Sequence, residues 1–368
     1  MLGNMERLTN IRKIAVLKAT ALGDYLAATP ALYALRATYP NAEIVYLGRP
    51  LHAALVEGRP SPIDRVVIVP VSHGVRVEPS TPERPENPEE LNAFFAAMQT
   101  EQFDLAIQMH GGGKNSNPFV KRLGAKVNVG MKTPDAPDMD RWMPYVVYQQ
   151  EFMRLLELMA LVGAKPVIAE PQFTVIDRDH DQLRAALPEL RAPYVVIHPG
   201  ASDLRRRWSP ERFAELADSL AEMGYQIVLT GVENERALIA EITRLLRHPV
   251  VNACERLSLG ALAALLRCAA LVVSNDTGPV HLADAVKTPN VGIFWCGNYL
   301  NWSHFNRSRH RPLVSWITHC PLCGTDMMQI DPPRDTCKHD TSFVNGVSVA
   351  DVQTAALELL AYAERFGR

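Results

Sequence analysis

The segment that follows one apolar run combines residue types that can hold an anion. It contains Asp276, Thr277 and Gly278, and His281 lies one turn inside the small-residue helix predicted to begin there. The free N–H groups and the dipole of a helix start favour phosphate, while Gly278 allows close approach of the backbone. The alternative is that Asp276 or Thr277 only caps the helix. The turn is therefore either an anion site or a capped strand-to-helix connection.

Two other predicted strand ends in the same half of the chain carry groups that bind nucleotides. Arg205, Arg206 and Arg207 follow one strand directly, and guanidinium groups pair well with phosphate oxygens. Glu233 and Glu235 follow the next strand, where a carboxylate can hold ribose hydroxyls. Because ligands of parallel sheets sit at the carboxyl ends of strands, this set predicts a nucleotide diphosphate site.

Polar residues also follow the first predicted strand of the chain. The loop there contains Gly23 and Asp24 and does not match GxGxxG, so it lacks a dinucleotide fingerprint. Asp24 is either an N-cap or a general base toward a hydroxyl group. Lys18 and Lys114 add positive charge on this side, and the glycine-rich segment before Lys114 suits a sugar, a phosphate or a flexible turn.

Four metal-ligating residue types lie near the end of the chain. Cys320 and Cys323 form a CxxC pair, and Cys337 and His339 form a later CxH pair. This spacing is typical of tetrahedral zinc. A cluster of reduced thiols or a disulfide is equally compatible with it. The interpretations are thus a structural zinc site or metal-free cysteines, and we do not expect a catalytic metal.

Two further pairs of residues in the second half each raise a structural question. Trp295 or Trp302 either stacks on a nucleotide base or packs in the core. Cys254 and Cys268 lie in apolar or helical surroundings, so both are predicted to be buried.

Alternating strand and helix patterns must position these residues. In the first half, short apolar runs predict strands over 11–20, 42–48, 64–71 and 103–110. Helical spacing of apolar residues predicts helices over 21–40 and 146–164. Two polar, Pro-bearing stretches, 76–90 and 132–144, are predicted to be exposed loops.

The second half repeats the alternation. Apolar runs predict strands over 192–200, 225–231, 270–276 and 289–295. Helical patterns cover 209–224, 234–246, 259–269 and 349–366. Ser209 can cap the first of these helices, with Pro210 in its first turn.

The repeated pattern predicts an α/β fold of two Rossmann-like, doubly wound parallel-sheet domains that face a cleft. The predicted limits are 1–170 for the first domain, 171–192 for a linker, 193–347 for the second domain and 348–368 for a terminal helix.

Composition narrows the class of protein. The chain has 368 residues, of which 47% are hydrophobic and 21% charged, with a net charge of −2. This profile is that of a globular protein without the basic field of a nucleic-acid binder. No apolar run approaches the roughly 18 residues that span a bilayer, and the start lacks the apolar centre of a signal peptide. We expect a cytoplasmic protein that contacts a membrane only at its surface.

Three stretches together resemble the heptosyltransferases of glycosyltransferase family 9. They are "KIAVLKATALGDYLAATPALYALRATYPNAEIVYL", "YVVIHPGASDLRRRWSPERFAELADSLAEMGYQIVLTG" and "LVVSNDTGPVHLADAVKTPNVGIF". The resemblance implies a GT-B architecture and an inverting transfer of a sugar, heptose in the family, from a nucleotide-diphospho-sugar such as ADP-heptose. It implies a hydroxyl acceptor on a lipopolysaccharide-core-like or other glycan or glycolipid, at the inner membrane face. It implies no cofactor for the chemistry.

The resemblance also assigns expected roles to matching positions. Asp24, in ALGD, matches the family's catalytic base. Arg206 lies where the family has a cation that contacts the donor phosphates, although three consecutive arginines leave the register open between them. Glu235, with Glu233 as rival, matches the ribose-binding acid. The remaining expected donor residues are Asp276, Thr277, Gly278 and His281. The acceptor side is expected to include Lys18, Gly23 and Lys114.

Two other functions share part of this pattern. A GT-B sugar-nucleotide epimerase or hydrolase would share the donor site but would not need the base loop at Asp24. A non-catalytic nucleotide-sugar-binding protein would bind donor without depending on Asp24. Product analysis with donor alone and the effect of changing Asp24 separate these functions from a transferase.

Overall fold

The computed structural model describes residues 6–76, 85–328 and 337–366. The chain divides into two compact units, Met1–Pro171 and Gln172–Arg368. Each unit contains a six-stranded parallel sheet flanked by helices. The predicted α/β fold with two doubly wound parallel sheets is therefore confirmed.

The first unit has strands in the order β3-β2-β1-β4-β5-β6. These strands are β1 Lys13–Leu17, β2 Glu43–Gly48, β3 Arg65–Ile68, β4 Leu105–Gln108, β5 Val127–Lys132 and β6 Arg141–Pro144. The helices of this unit are α1 Leu22–Thr38, α2 Pro50–Val56, α3 Pro88–Thr100, α4 Ser116–Lys121 and α5 Glu151–Ala160.

The central strands of the first sheet are buried because their side chains are apolar on both faces. In β1, every residue from Ile14 to Leu17 is fully buried. This strand pairs in parallel with β2 and with β4, so Ile14 lies opposite both Ile44 and Leu105. Burial on both faces is the pattern of a parallel sheet covered by helices. The chain order reverses direction between β1 and β4, and ligands of such sheets bind at this switch point.

The second unit repeats the same topology. Its strands are β7 Tyr194–His198, β8 Gln226–Leu229, β9 Val250–Asn252, β10 Leu271–Asn275, β11 Asn290–Trp295 and β12 His310–Ser315. They run in the order β12-β11-β10-β7-β8-β9, so the switch point lies between β7 and β10. The helices are α6 Asp177–Ala186, α7 Pro210–Glu222, α8 Arg236–Leu245, α9 Leu259–Cys268, α10 Gly278–Ala285, α11 Cys296–Trp302 and α12 Val349–Phe366.

Two loop regions differ from the prediction. The stretch 132–144 contains an edge strand, β6, and the segment before α12 contains a second edge strand, β12, that the sequence pattern did not predict. Of the loop predicted over 76–90, residues 77–84 lie outside the described residues, and α3 already begins at Pro88. Asn87 caps α3, because its side chain accepts hydrogen bonds from the backbone N–H groups of Glu89 and Glu90.

Two predicted helix details also change. The helix predicted over 146–164 is confined to α5, Glu151–Ala160. Ser209 occupies the N-cap position of α7, but its side chain makes no capping hydrogen bond within the described residues of that turn. Pro210 lies in the first turn of α7 as predicted.

Among the helices of the described residues, none is both long enough and apolar enough to cross a lipid bilayer.

Candidate functional site

The switch point of the first unit holds a buried cation, Lys18, directly after β1. Its side chain is 1% exposed. Lys18 Nζ donates a 2.8 Å hydrogen bond to Glu151 Oε1 and a 3.2 Å bond to the carbonyl of Met109, and it lies 3.7 Å from Asp24 Oδ1. Lys18 therefore joins the end of the central strand to the first turns of α1 and α5.

Arg154 completes the buried charge group around Lys18. Its guanidinium donates to the Glu151 carboxylate and to the carbonyls of Val146, Val147 and Gln149. These carbonyls satisfy the guanidinium only because the backbone before Glu151 is not helical. This contact accounts for the start of α5 at Glu151 instead of at residue 146.

The opposite charges of this group favour one another's ionised forms and so offset the cost of burial. Burial disfavours the ionised form of Glu151, but the charges of Lys18 and Arg154 outweigh it and hold the pKa of Glu151 below its ordinary value. Burial likewise opposes the charge of Lys18, while Glu151 and Asp24 raise its pKa above the ordinary value. Both side chains are thus ionised at neutral pH.

Asp24 lies in the first turn of α1. The N-cap of this helix is Ala21, so Asp24 is not the capping residue. A carboxylate in the first turn is favoured by the helix dipole. Its side chain is 26% exposed, which leaves the carboxylate accessible from solvent while Lys18 lies beneath it. Gly23 is the neighbouring residue of the same turn.

The glycine-rich loop after β4 lies at the same switch point. Gly113 has a φ of +90°, and a Cβ there would lie 2.5 Å from the carbonyl of Met131, so only glycine fits. His110, at the start of the loop, has a pKa lowered to about 4 by burial and then by the Lys18 charge, so it is neutral at pH 7. Lys114 is 72% exposed and forms a 3.0 Å ion pair with Asp135.

The turn at Asp276 lies at the switch point of the second unit and is not a capped connection. Thr277 occupies the N-cap of α10, but its side chain makes no capping hydrogen bond among the described residues of the turn. Asp276 is 1% exposed, and its carboxylate contacts side chains of other residues instead of capping α10. Its Oδ1 lies 3.2 Å from His281 Nε2, and its Oδ2 accepts a 2.7 Å hydrogen bond from Asn298 Nδ2. The start of α10, at Thr277 and Gly278, is half-buried.

Asp276 stays ionised despite its burial. Burial opposes the charge, but His281 and Arg206 outweigh it, so the pKa of Asp276 is lowered. His281 is itself held by a second histidine: its Nδ1 lies 2.9 Å from His304 Nε2, and His304 Nδ1 lies 3.1 Å from Asp284 Oδ2. The buried carboxylates of Asp276 and Asp284 thus lie at the two ends of the buried pair His281 and His304.

The three consecutive arginines have different partners. Arg206 Nη1 donates a 2.9 Å hydrogen bond to the carbonyl of Asp276 and lies 3.6 Å from its carboxylate. Arg205 instead forms a two-point ion pair with Asp203, at 2.9 and 2.7 Å. Arg207 Nε donates to the carbonyl of Ala201 at 2.9 Å. Among the three, Arg206 is the arginine that reaches the Asp276 turn.

The two candidate glutamates after β8 also lie in different surroundings. Glu235 is 5% exposed and accepts a 3.0 Å hydrogen bond from the backbone N–H of Val232. A Cβ on Gly200, at the end of β7, would lie 1.8 Å from Glu235 Oε1, so Glu235 packs directly against the switch point. The side chain of Glu233 is 67% exposed and pairs with Arg236.

The two tryptophans also differ in their surroundings. Trp295 is 4% exposed, packs against Phe343, and donates from Nε1 to the carbonyl of Ile317 at 2.6 Å, so it is a core residue. Trp302 is half-buried, with its ring centroid 6.0 Å from that of His281.

The cysteines near the end of the chain form a group that could hold a metal ion. The ligand atoms of Cys320, Cys323, Cys337 and His339 all lie within 4.8 Å of one another. Away from this group, Cys254 is buried as predicted. The prediction for Cys268 is wrong, because this residue ends α9 and is exposed.

The model of the family described as glycosyltransferase family 9 (heptosyltransferase) matches residues 91–311. The chain belongs to glycosyltransferase family 9. The resemblance and the enzyme class predicted from the sequence, a glycosyltransferase of this family, are confirmed by this match.

Several curated relatives of the chain are lipopolysaccharide heptosyltransferases. The chain is 28% identical to lipopolysaccharide heptosyltransferase 3 of Escherichia coli K12 over 45% of the chain and 46% of that protein, so this match spans about half of the relative. It is 26% identical to lipopolysaccharide heptosyltransferase 1 of the same strain over 77% of the chain and 87% of that protein.

Solved structures share the fold across nearly the whole chain. A family 9 glycosyltransferase from Veillonella parvula superposes with a TM-score of 0.78 at 19% identity, covering 98% of this chain and 99% of that one. The ADP-heptose lipopolysaccharide heptosyltransferase II of E. coli gives a TM-score of 0.72 at 16% identity, covering 96% and 100%. These matches confirm the GT-B type fold.

Five residues of the buried groups around Lys18 and around Asp276 were not predicted from the sequence. They are Glu151, Arg154, Asp284, Asn298 and His304. Glu151 and Arg154 carried a signal, because two charges three residues apart fall among the apolar positions of a predicted amphipathic helix. Asn298 lies three residues after the end of β11, whereas Asp284 and His304 follow no strand end, so only the fold brings these two into the group around Asp276.

Proposed function

We propose that the protein transfers heptose from ADP-heptose to a hydroxyl of a lipopolysaccharide-core glycan. Family membership and the names of the curated relatives support the transferase class and the acceptor class. A heptosyltransferase of E. coli with this fold was solved with ADP and, in another structure, with ADP-2-deoxy-2-fluoro heptose, which supports the donor. In this proposal the second unit binds the donor and the first unit binds the acceptor.

The observation that carries the proposal is the contact between Arg206 and the Asp276 turn at the start of α10. The Arg206 side chain, 21% exposed, contacts Asp276 just before α10, and the N-cap residue Thr277 makes no side-chain capping hydrogen bond in this described turn. A guanidinium and a helix start together bind a diphosphate well. There they would stabilise the negative charge that builds on the departing ADP. Asp276, held by His281, orients Arg206 and does not itself face an anion.

Glu235 is assigned to the ribose of the donor. It lies at the end of the strand next to β7, against Gly200, where a carboxylate accepts hydrogen bonds from ribose hydroxyls. Glu233, exposed and paired with Arg236, is left out of this site.

Asp24 is assigned as the general base. It takes the proton from the acceptor hydroxyl as that oxygen attacks the anomeric carbon, and the bond from this carbon to the ADP oxygen breaks. A single displacement of this kind inverts the anomeric carbon. Lys18 Nζ, 3.7 Å from Asp24 Oδ1, holds the carboxylate in place. The proposal assigns no cofactor to this step.

The acceptor class sets where the reaction takes place. A lipopolysaccharide-core glycan is anchored by lipid, so we propose that the protein meets it at the inner face of the membrane, with Gly23 and Lys114 on the acceptor side. The stretch 132–144 is assigned to acceptor choice.

Calorimetric titration of ADP, UDP and GDP, followed by transfer assays with Asp24→Asn, tests the proposal. We expect selective binding of ADP, and in Asp24→Asn a loss of transfer of about a hundredfold or more with ADP binding retained. Asp181→Asn, an exposed aspartate of α6, is the matched control and should keep full activity.

Three outcomes would contradict the proposal. Absence of nucleotide binding would remove the donor site. Release of free sugar by the wild type without acceptor, at the rate seen with acceptor, would indicate a hydrolase. Undiminished transfer by Asp24→Asn would remove the assignment of the base.

A further inference from the structure

The cysteine and histidine group near the end of β12 has the dimensions of a metal site. Cys323 Sγ lies 3.8 Å from Cys337 Sγ. His339 Nδ1 lies 3.6 Å from Cys320 Sγ and 3.8 Å from Cys337 Sγ. A tetrahedral ion with bonds of about 2.3 Å to sulfur and about 2.0 Å to nitrogen places its sulfurs about 3.8 Å apart and sulfur and nitrogen about 3.5 Å apart. These three separations are within about 0.3 Å of this geometry, and all four ligand atoms lie within 4.8 Å of one another.

The backbone of the CxxC pair is shaped to point both sulfurs to one side. The N–H of Gly324 donates to the carbonyl of Cys320 at 2.9 Å, and the N–H of Cys320 donates to the carbonyl of Thr325 at 2.8 Å. Gly324 has a φ of +70°, which closes the turn and favours glycine. A hydrogen bond of 2.8 Å from Met327 N to Thr318 O fastens the base of this turn.

The alternatives of a disulfide or of unrelated thiols fit less well. All six cysteines, each of which lies in the described part of the chain, are free thiols. A disulfide joining Cys323 to Cys337 would require a sulfur separation of about 2.05 Å, well below the one observed. It would also leave Cys320 and His339 without a reason to converge. Unrelated thiols would not bring a histidine nitrogen to the same point.

We propose that Cys320, Cys323, Cys337 and His339 form a structural site for one tetrahedral transition-metal ion, with zinc as the expected ion. Four protein ligands close the coordination sphere, which is the mark of a structural site and leaves no position for a substrate. Cys320 and Cys337 are 2% and 8% exposed, so two of the ligands are shielded from solvent.

The site lies next to the segment that holds the arginine turn. Ser342, three residues after His339, donates from Oγ to the carbonyl of Arg207 at 2.7 Å. Phe343 donates from its backbone N–H to the carbonyl of Arg205 at 2.7 Å. The metal would therefore hold in place the segment at Ser342 and Phe343, which binds the backbone on both sides of Arg206. This consequence rests on the proposed function, in which Arg206 binds the donor diphosphate.

Metal content is the first measurement. Zinc and iron both accept thiolate and imidazole ligands in a tetrahedral site, so both are measured in protein purified without added metal. A stoichiometric amount of either supports the site. Substoichiometric metal, together with six thiols that react freely in the native protein or four thiols and one disulfide, would overturn it.

Variants assign the metal to these four residues. Cys337→Ser and His339→Ala should lose the metal, whereas His339→Cys, which restores a fourth ligand, should keep it. Cys268→Ser, an exposed cysteine outside the group, is the matched control and should keep it fully. If a variant fails to fold, release of metal from the wild type as its thiols are titrated with a mercurial gives the same information. Full metal content in Cys337→Ser would contradict the assignment.

The link to the arginine turn is tested separately. ADP is titrated into wild-type protein before and after removal of the metal by a chelator, and again after metal is restored. We expect ADP affinity to fall about tenfold and to recover, as for the loss of one charge-assisted hydrogen bond. Bound metal with unchanged ADP affinity would overturn the anchoring role alone. Bound metal with no ADP binding in any sample would contradict the proposed function and leave the metal site standing.

Discussion

At the scale of single residues, partners decide which of several similar side chains can act. Arg205, Arg206 and Arg207 are indistinguishable in the sequence, because all three follow the same strand end. The turn that holds them sends their side chains in different directions. Arg205 and Arg207 have partners within the same loop, and only Arg206 reaches a partner from a distant part of the chain. Asp203 takes up the charge of Arg205, and Arg206 reaches Asp276. The residue types were predictable, whereas their partners required the fold.

Arg206→Ala is expected to weaken ADP binding by about tenfold to a hundredfold. One charge-assisted hydrogen bond is worth about 1.5–3 kcal/mol, and Asp276 keeps His281 and Asn298 as partners when Arg206 is removed. Titration calorimetry measures the change.

Arg205→Ala is the control for this experiment. Its guanidinium already pairs with Asp203, and its contact with Phe343 uses only the backbone, so ADP affinity should stay within about twofold of wild type. Equal losses of ADP affinity in the two variants would mean that these arginines act through their net positive charge and not through a specific contact of Arg206.

At the scale of elements, most central strands and the edge strand β3 were predicted from the sequence, whereas the edge strands β6 and β12 were not. The strands β1, β7, β10 and β11 are apolar runs buried on both faces. The strands β6 and β12 lie at the edges of their sheets, where polar residues and proline are tolerated, as Pro144 and Pro312 show. Their sequences therefore look like loops. The start of α5 was mispredicted for another reason, because Arg154 binds carbonyls that a longer helix would have used.

Glu151→Gln is expected to lower the free energy of unfolding by about 3 kcal/mol at pH 7, because it leaves Lys18 and Arg154 buried with less compensating charge. The pKa of Glu151 is lowered in the folded state, so its stabilisation is present above the pKa of the unfolded chain and is lost as pH falls through the folded value. The wild type should therefore lose this contribution in acid, whereas the variant has none to lose. Urea unfolding from neutral to acidic pH measures both effects.

Glu157→Gln provides the comparison for this variant. Glu157 lies on the same helix but is exposed, and its carboxylate accepts from Gln149. We expect a change within about 0.5 kcal/mol and an acid dependence like that of the wild type. If Glu151→Gln behaved like Glu157→Gln, the buried charge group would contribute little to stability.

At the scale of the whole molecule, the chain uses one topology twice. Both sheets follow the same strand order, and in both the chemically distinctive residues lie where the order reverses. The alternation of strands and helices along the sequence was enough to predict this architecture, because parallel strands need long crossover connections, which are usually helices. What alternation could not show is which side chains from other elements reach each switch point. Glu151 comes from α5 and His304 follows α11, and neither position is marked by a strand end.

Thermal unfolding of the whole chain should report the two units separately. Each unit has its own hydrophobic core, one including Ala15, Val45 and Phe103 and the other including Val195, Trp208 and Val273, so we expect two calorimetric transitions. ADP at about 100 times its dissociation constant should stabilise the unit that binds it by about 2.7 kcal/mol, which shifts that transition upward by roughly 5–10 °C. The other transition should stay in place, and Glu151→Gln should lower that one selectively, because Glu151 belongs to the first unit. An ADP shift of the same transition that Glu151→Gln lowers would place the donor on the first unit and contradict the proposed division of roles.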